Sequence, residues 1–472
     1  MFDINHLSNS INGKIEGSNN FKTPFTGRFT FLNNSGKGDI VIRHWINGKG
    51  IEIADSREIS CLITQNPKDG AIEKARELNF PLIVVDKIEI ANAFALKYTI
   101  SKFSPDSHNI VITGTNGKST TSHLIFHILK NADYNVFTNT DSESEFNTLI
   151  DPMVSELIAN KVMEDGELDF LVIEISEVQG WLGALMKNHA YLMADAISPE
   201  IGVITNIAMD HIGLVNSVEE VFDEIQAVPP AIKDTLILNN DDDLVKSLKT
   251  DKNKFFFSMQ PNNGDIYYND GIYFEDVKIL EKSELPFTSK HFIQNILAAI
   301  GCCISLGIPI DEIRKGVVSY KSLNRRFAKL NEKPLIIDDF AHNPDGIKAT
   351  ISESLKLLDD GQRLFVACSI RGSRGTEINE LNAEALAESY NDNIVLSISS
   401  SNEVVDDLNF VEDEEREVFF NVLDKNSIPY IHFDKLVDCL NHVLDNASEN
   451  DVVLLIGAQG MDPAESILKK IL

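Results

Sequence analysis

No apolar stretch in this chain of 472 residues is long enough to cross a bilayer. The first residues lack a basic segment followed by an apolar run, so they do not form a secretory signal. We therefore expect a cytoplasmic protein with no membrane partner.

Cysteine is scarce and its spacing carries no metal or disulfide pattern. The five cysteines include no C-x-x-C pair, and their number is odd. This excludes a zinc ribbon and a disulfide framework, and it predicts buried thiols in a reducing compartment. The five are Cys61, Cys302, Cys303, Cys368 and Cys439.

Basic residues are also few: 42 lysines and arginines face 72 acidic residues, giving a formal charge of −30. Such a surface repels nucleic acid and anionic lipid. An anionic nucleotide would bind only where backbone amides and basic side chains overcome this field locally. A phosphate-binding motif is therefore the feature to look for.

The length predicts two or three domains. Residues 1–105 form the first, a small mixed α/β domain in which apolar runs at 61–64 and 81–85 flank a helical pattern at 70–78. This order predicts a βαβ unit. The segment 104–107 is the predicted linker to the second domain, 106–323, and a third domain follows at 324–472.

Short apolar strands alternate with helical patterns in both later domains, which predicts an α/β fold with parallel sheets covered on both faces. The acidic run 412–417 is expected to be a solvated helix face. The predicted strands are 110–113, 170–174, 201–205 and 235–239, then 335–338, 364–368, 394–398 and 452–456.

The strongest motif starts at the end of the strand 110–113. Its sequence is Gly114-Thr115-Asn116-Gly117-Lys118-Ser119-Thr120, and a helical pattern follows. Glycines let backbone N–H groups turn toward an anion, and the helix N-terminus adds its dipole. We predict that Lys118 reaches the terminal phosphates of ATP and that the Ser119 hydroxyl binds Mg²⁺.

This loop is shorter than the general Walker pattern, since Ile112 stands where that pattern has glycine. Gly-Thr-Asn-Gly-Lys-Ser-Thr resembles the ATP loop of the Mur ligase and folylpolyglutamate synthase superfamily. The resemblance covers roughly residues 109–460, because further family motifs follow in the same order. It implies three domains: a central P-loop ATPase, a Rossmann-like C-terminal domain and a small N-terminal domain that binds a UDP-linked substrate.

In the central domain, Glu174 resembles the family's magnesium-binding glutamate of the E-x-S segment. The stretch 204–211 matches T-N-x-x-x-D-H, and the resemblance implies that Asn206 and Asp210 line the site and that His211 helps to bind a second metal. The segment 239–242 resembles the N-x-D-D strand end. His291 and Asn295 resemble the adenine-contacting residues of the family, although Ser289 and Phe292 replace its glycine and first asparagine.

In the last domain, Arg326 resembles an arginine that reaches ATP phosphate. Asp339 and His342 lie in a segment that resembles D-Y-A-H-x-P, with Phe340 in place of tyrosine. The resemblance implies that the third domain completes the ATP site by closing onto the second. Lys118, Glu174, His211, Arg326, Asp339 and His342 are the predicted catalytic residues, with Ser119, Glu174 and His211 as metal ligands.

The family's carbamylated lysine is missing, because no lysine stands near Ile225. Our hypothesis is that Glu224 replaces it as a metal ligand or that one metal is held differently. If Glu224 is the ligand, Glu224→Gln should raise the Mg²⁺ requirement. The alternative is that Glu224 is a surface residue.

The resemblance implies an ATP- and Mg²⁺-dependent ligase that forms an amide bond through an acyl phosphate. Its partners would be a free amino acid and a UDP-linked peptide or amino acid. The D-N-P-R signature of the diaminopimelate-adding enzyme is absent at 397–403. The motifs look most like those of archaeal Mur-like ligases for pseudomurein peptides. A folylpolyglutamate-type ligase and a P-loop NTPase without ligase activity stay open as alternatives.

Overall fold

A computed structural model describes residues 2–140, 149–181, 184–209, 214–286, 289–407 and 409–472. Their backbone forms two compact units. The first holds the described residues up to Ala208 and from Ser217 to Tyr320, and the second contains Lys321–Leu472.

The first unit begins with a five-stranded sheet in the order β1-β5-β4-β3-β2, parallel except for β1. The predicted βαβ unit is present as β4, α3 and β5. The elements are β1 (Lys14–Glu16), β2 (Phe29–Thr30), β3 (Ile40–Ile46), β4 (Cys61–Pro67) and β5 (Leu82–Val84), with α1 (Ile4–Ser10), α2 (Gly48–Ser56), α3 (Ala71–Glu77) and α4 (Ile88–Phe103).

A nine-stranded sheet forms the larger part of this unit, in the order β16-β15-β14-β13-β12-β11-β6-β8-β7. It is parallel from β14 to β7, and β15 and β16 add an antiparallel edge. Its strands are β6 (His108–Thr113), β7 (Val136–Thr138), β8 (Phe170–Glu174), β11 (Ile201–Ile204), β12 (Thr235–Asn239), β13 (Asn253–Ser258), β14 (Ile266–Tyr268), β15 (Gly271–Phe274) and β16 (Val277–Glu281), and β9 (Gly180–Trp181) pairs with β10 (Ala184–Leu185) as a separate hairpin.

Helices cover both faces of this sheet, which explains why its central strands are apolar without alternation. Ile110, Val111 and Ile112 of β6 are all fully buried. Helices α5 and α10 pack against one another in the core of one face. The helices are α5 (Lys118–Asn131), α6 (Met153–Asp165), α7 (His189–Ile197), α8 (Val218–Gln226), α9 (Asp243–Ser247), α10 (Lys290–Ser305) and α11 (Ile310–Ser319).

The second unit is a six-stranded sheet in the order β17-β18-β22-β19-β20-β21, parallel except for β17. Two separate apolar clusters show that this sheet, too, is covered on both faces. The elements are β17 (Ala328–Glu332), β18 (Leu335–Asp339), β19 (Leu364–Ser369), β20 (Ile394–Ser399), β21 (Tyr430–Phe433) and β22 (Val452–Ile456), with α12 (Pro344–Leu355), α13 (Thr376–Ser389), α14 (Asp413–Lys425), α15 (Leu436–Asn446) and α16 (Ala464–Ile471).

The predicted α/β class with parallel sheets is confirmed. All eight strands predicted in the two later domains are present, with ends that differ by at most two residues. All five cysteines are buried, as predicted. Within the described residues, no helix is both long enough and apolar enough to span a bilayer.

Candidate active site

Three neighbouring strands of the nine-stranded sheet deliver the predicted site residues to one edge. Strand β6 lies between β11 and β8 and is parallel to both. The segments 114–119, 174–177 and 205–208 therefore leave the same carboxyl edge of the sheet, where α/β proteins bind ligands. We call residues 114–119 the phosphate loop.

Two glycines give the phosphate loop its shape. Gly114 has φ +122°, and a Cβ there would lie 2.3 Å from Thr205 Oγ1. Gly117 has φ +85° at the N-cap of α5, and a Cβ there would lie 2.2 Å from Asn295 Oδ1. Both positions need a residue without a side chain, both for backbone conformation and for space.

The segment after β11 holds the middle of the loop. Asn206 Oδ1 accepts the Asn116 N–H at 2.9 Å, and Asn206 Nδ2 donates to Asn116 O at 2.8 Å. Thr205 Oγ1 also donates to Asn116 O, at 2.7 Å. Thr115 Oγ1 accepts the Ala208 N–H at 2.9 Å. The predicted site residue Asn206 thus fixes the backbone of the loop.

The neighbouring strand β12 supports this segment in turn. Asn239 Nδ2 donates to Thr205 O at 2.9 Å, and Asp242 Oδ2 accepts the Ile207 N–H at 2.8 Å. Asp242 also caps α9 through Leu244 and Val245. The N-x-D-D motif therefore acts on the backbone of residues 205–207.

Ser119 and Glu174 place their side-chain oxygen atoms next to each other beside the phosphate loop. Ser119 Oγ donates to Glu174 Oε1 at 3.0 Å, and Thr140 Oγ1 donates to Glu174 Oε2 at 3.1 Å. Asn139 fixes the Glu174 backbone, since its Oδ1 accepts the Glu174 N–H at 2.8 Å. Thr140 and Asn139 were missed from the sequence, because they follow the short strand β7, which carries no family motif.

The Lys118 ammonium group is folded back over its own loop. It donates to Gly114 O at 2.6 Å, to Thr115 O at 2.9 Å and to Glu177 Oε2 at 2.7 Å. Glu177 is fully buried, whereas Lys118 keeps 14% of its side chain exposed. Glu177 was also missed, although an acidic residue three positions after Glu174 was a usable signal.

Helix α10 brings Asn295 to the phosphate loop rather than to a distant surface, as its contact with Gly117 shows. His291 lies about one turn earlier on the same helix and is exposed. Thr120 is buried in the first turn of α5.

The predicted metal ligand His211, like its neighbour Asp210, lies outside the described residues. Glu224 is described: it is buried on α8, and its Oε2 accepts the Asn188 N–H at 2.7 Å. Burial raises the pKa of the Glu224 carboxyl. The surface alternative for Glu224 is therefore wrong, because the side chain anchors the start of α7; its role as a metal ligand stays a prediction.

In the second unit, Arg326, Asp339 and His342 gather around Phe340. The Arg326 guanidinium lies 5.0 Å from the centre of the Phe340 ring, and the His342 ring packs edge-on against it at 5.0 Å. His342 Nδ1 is 2.7 Å from Phe340 O. Burial raises the pKa of Asp339, and the nearby Arg326 partly offsets this. Phe340, which replaces the family's tyrosine, organises the cluster.

The adjacent Arg325 has a structural role. It is buried, pairs with Asp338 at 3.4 Å and with Asp462, and donates to Ala458 O and Gly457 O. Burial raises the pKa of Asp338 to about 6, despite the opposing effect of Arg325. The structural role thus falls to Arg325, and the ATP-phosphate role of Arg326 stays a prediction.

One acidic residue contradicts the sequence analysis. Glu415, in the run predicted to be a solvated helix face, is buried. Its carboxylate accepts the N–H groups of Ser373, Arg374 and Gly375 at 3.0, 2.9 and 2.6 Å. It also accepts the Glu412 N–H in a capping box at the start of α14. These bonds explain its burial, because a buried carboxylate needs several donors.

A glycine loop between a buried strand and a helix, with a lysine and a hydroxyl at the helix start, is typical of nucleotide-binding proteins. Two domain models match the chain: the Mur ligase middle domain over residues 112–303 and the Mur ligase glutamate ligase domain over residues 325–459. Together they cover more than half of its length. The chain belongs to the Mur ligase family, which confirms the resemblance.

Curated relatives are ligases of that family. The chain is 29% identical to a UDP-N-acetylmuramate–L-alanine ligase of Caldicellulosiruptor bescii, over 54% of each protein. It is 26% identical to the ligase of the same name from Brachyspira hyodysenteriae, over 97% of this chain and 92% of the relative. The chain thus spans about half the length of the first of these relatives and nearly all of the second.

Solved structures share the fold over more than nine-tenths of the chain. MurF from Acinetobacter baumannii superposes with a TM-score of 0.71 at 16% identity and covers 98% of this chain, with 97% of its own length matched. A pseudomurein peptide ligase type C from Methanothermus fervidus gives 0.60 at 20% identity, over 92% of this chain and 95% of its own. At these identities the likeness concerns the fold alone.

Proposed function

We propose that this chain is an ATP-dependent ligase that joins an amino acid to the carboxylate of a UDP-linked precursor. The observation that carries the proposal is the nucleotide site itself, in which the phosphate loop, Lys118 and the Ser119–Glu174 pair lie at one edge of the sheet. The choice of a UDP-linked acceptor is supported by two relatives that are named UDP-N-acetylmuramate–L-alanine ligase.

The residues present fit a nucleotide with a magnesium ion. A Cβ on Gly114 or Gly117 would collide with Thr205 or Asn295, so both positions need glycine. Glycine loops of this kind can turn their backbone N–H groups toward a phosphate. Mg²⁺ typically takes one or two carboxylates plus substrate phosphates and waters. Ser119 Oγ and the Glu174 carboxylate supply such a donor set, and no group of three metal-binding His, Cys, Asp or Glu side chains occurs within the described residues.

The chain's own residues would act by position and charge. The N–H groups of the phosphate loop and the N-terminus of α5 bind the phosphates of ATP, and Lys118 neutralises charge on the phosphoryl group that passes to the substrate carboxylate. Mg²⁺, held by Ser119 and Glu174, would supply further charge neutralisation. The carboxylate oxygen attacks the γ-phosphorus and ADP leaves, which gives the acyl phosphate. The amine of the amino acid then attacks its carbonyl carbon, and phosphate leaves as the amide forms.

His211, Arg326, Asp339 and His342 stay predicted participants in this chemistry, and His291 and Asn295 stay predicted to bind the nucleotide. The proposed function also keeps the cytoplasmic location, where ATP is available. The acceptor would be a peptidoglycan or pseudomurein precursor.

The test is phosphate release from Mg·ATP by the full chain, against a matrix of UDP-linked peptides and free amino acids, with mass spectrometry of the products. We expect release that needs both an acceptor and one amino acid, with a product heavier than the acceptor by the mass of that amino acid minus water. Lys118→Met should abolish release. Lys130→Met, at the exposed far end of the same helix, serves as the matched control and should not change it.

Two outcomes would overturn the proposal. Phosphate release that ignores both substrates would indicate an NTPase without ligase activity. Release driven by a pterin substrate and glutamate would indicate a folylpolyglutamate-type ligase.

A further inference from the structure

Glu177 is a buried carboxylate that the mechanism above does not use. It leaves the carboxyl edge of the sheet three residues after Glu174, and none of its surface is exposed. A buried carboxylate is costly unless it is paired and hydrogen-bonded. Glu177 pairs with Lys118, the lysine of the phosphate loop, at 2.7 Å.

The Lys118 ammonium group has three N–H donors. Gly114 O, Thr115 O and Glu177 Oε2 each accept from this group, at 2.6, 2.9 and 2.7 Å. The two carbonyl oxygens belong to the loop, so they keep the lysine close to it. Glu177 is the only anion among these three acceptors. Its charge-assisted hydrogen bond with Lys118 is therefore of the same kind as the bond that a nucleotide phosphate would make.

We propose that Glu177 is the internal counter-ion of Lys118 and competes with the terminal phosphates of the nucleotide for its ammonium group. This inference rests on the proposed nucleotide site. When nucleotide enters, Lys118 transfers this donor from the Glu177 carboxylate to a phosphate oxygen. Glu177 is thus a positioning residue that keeps Lys118 folded onto the loop, charged and in place, at a cost in nucleotide affinity.

The two charges also explain how the nucleotide-free site tolerates a buried ion. Each charge neutralises the other where little water can reach, and a buried ion pair that loses one member is strongly destabilised. Lys118→Met should therefore lower the melting temperature of the nucleotide-free chain, and adding Glu177→Gln to it should restore much of the loss.

The test is the affinity for Mg·ADP, measured by isothermal titration calorimetry on the full chain without other substrates. Glu177→Gln keeps an oxygen acceptor but removes the charge, so we expect Mg·ADP to bind about tenfold more tightly, since a hydrogen bond to a charged group is strong. In the Lys118→Met background the same substitution should give no gain. Glu156→Gln, another buried glutamate of the same unit whose carboxylate faces Phe31, is the matched control and should leave the affinity unchanged.

An unchanged or weaker affinity of Glu177→Gln would overturn the inference. An equal gain in the Lys118→Met background would also overturn it, because it would show repulsion of phosphate without competition for the lysine. If Glu177→Gln does not fold, Glu177→Asp keeps the charge but draws it back from Lys118, and a smaller gain is expected; a loss contradicts the proposal. A wild-type chain that does not bind Mg·ADP would instead overturn the nucleotide site itself.

Discussion

Adding one methyl group at Gly117 tests the geometry of the phosphate loop. Gly117 caps α5 with φ +85°, and a Cβ there would lie 2.2 Å from Asn295 Oδ1. The left-handed backbone costs an L-residue about 1–2 kcal/mol. The free Gly117→Ala loop should relax out of this backbone, and nucleotide binding then has to restore it. At about 1.4 kcal/mol per tenfold, this strain weakens nucleotide binding about 5- to 30-fold. The clash with Asn295 adds to this loss, so Gly117→Ala should lose more than 30-fold.

Asn295 allows the two contributions to be separated. In the Asn295→Ala background the clash disappears, because the nearest atoms to the added Cβ belong to that side chain. Gly117→Ala should then cost only the strain, about 5- to 30-fold. The assay is Mg·ADP affinity by calorimetry for the four chains of this double-mutant cycle. Gly307→Ala is the control, because Gly307 has φ +76° with no atom within 4 Å of the added Cβ. It should lower the melting temperature without changing the affinity.

Two results would refute the reasoning. If Gly117→Ala bound Mg·ADP like the wild-type chain, the loop would not need its left-handed residue. If the loss were equal in the two backgrounds, Asn295 would not lie against the loop.

Three further changes test other parts of the first unit. Asn206→Ala removes two bonds to the Asn116 backbone, so Mg·ADP affinity should fall about tenfold at about 0.5–1.5 kcal/mol per bond; an unchanged affinity would contradict the role of Asn206 in shaping the loop. Glu174→Gln should raise the Mg²⁺ concentration for half-maximal phosphate release at least about tenfold, and Thr140→Val, which removes one neutral hydrogen bond, about threefold; the reverse order would place the cation elsewhere. Burial raises the pKa of Asp151 from 3.8 to about 6, so its contribution to stability is present below about pH 4 and is lost as the pH rises through about 6. The difference in melting temperature between Asp151→Asn and the wild-type chain should therefore shift in favour of the variant as the pH rises from 4 to 7. A difference that does not change with pH would contradict this.

The strands could be predicted because burial on both faces removes the need for polar residues. Residues 110–112 of β6 show this, since each is fully buried. The antiparallel extension from β14 to β16 was missed, because these strands mix polar and apolar residues and no helix connects them. Edge strands carry a weaker pattern for the same reason.

The site residues, too, fall into a group that could be predicted from the sequence and a group that could not. Lys118, Ser119, Glu174 and Asn206 follow strand ends, so sequence order alone brings them to one edge. Residues that act through tertiary contacts were missed or misread, because nothing local marks their partners. Glu415 illustrates this: its carboxylate is satisfied by backbone N–H groups about 40 residues earlier in the chain.

The phosphate loop is shaped by Thr205, Asn206 and Asn295, which all follow it in the sequence, and this matters during synthesis of the chain. The loop residue Asn116 leaves the ribosome about 90 residues before Thr205 and Asn206, which fix its backbone, and Asn295 follows later still. A nascent chain that ends before β11 therefore carries the whole glycine motif without the segment that shapes it. Because chains are made from the N-terminus at about 5–20 residues per second, the motif lacks its contacts with Thr205 and Asn206 for seconds during synthesis. Nucleotide binding should consequently appear late, once β11, β12 and α10 have joined the sheet.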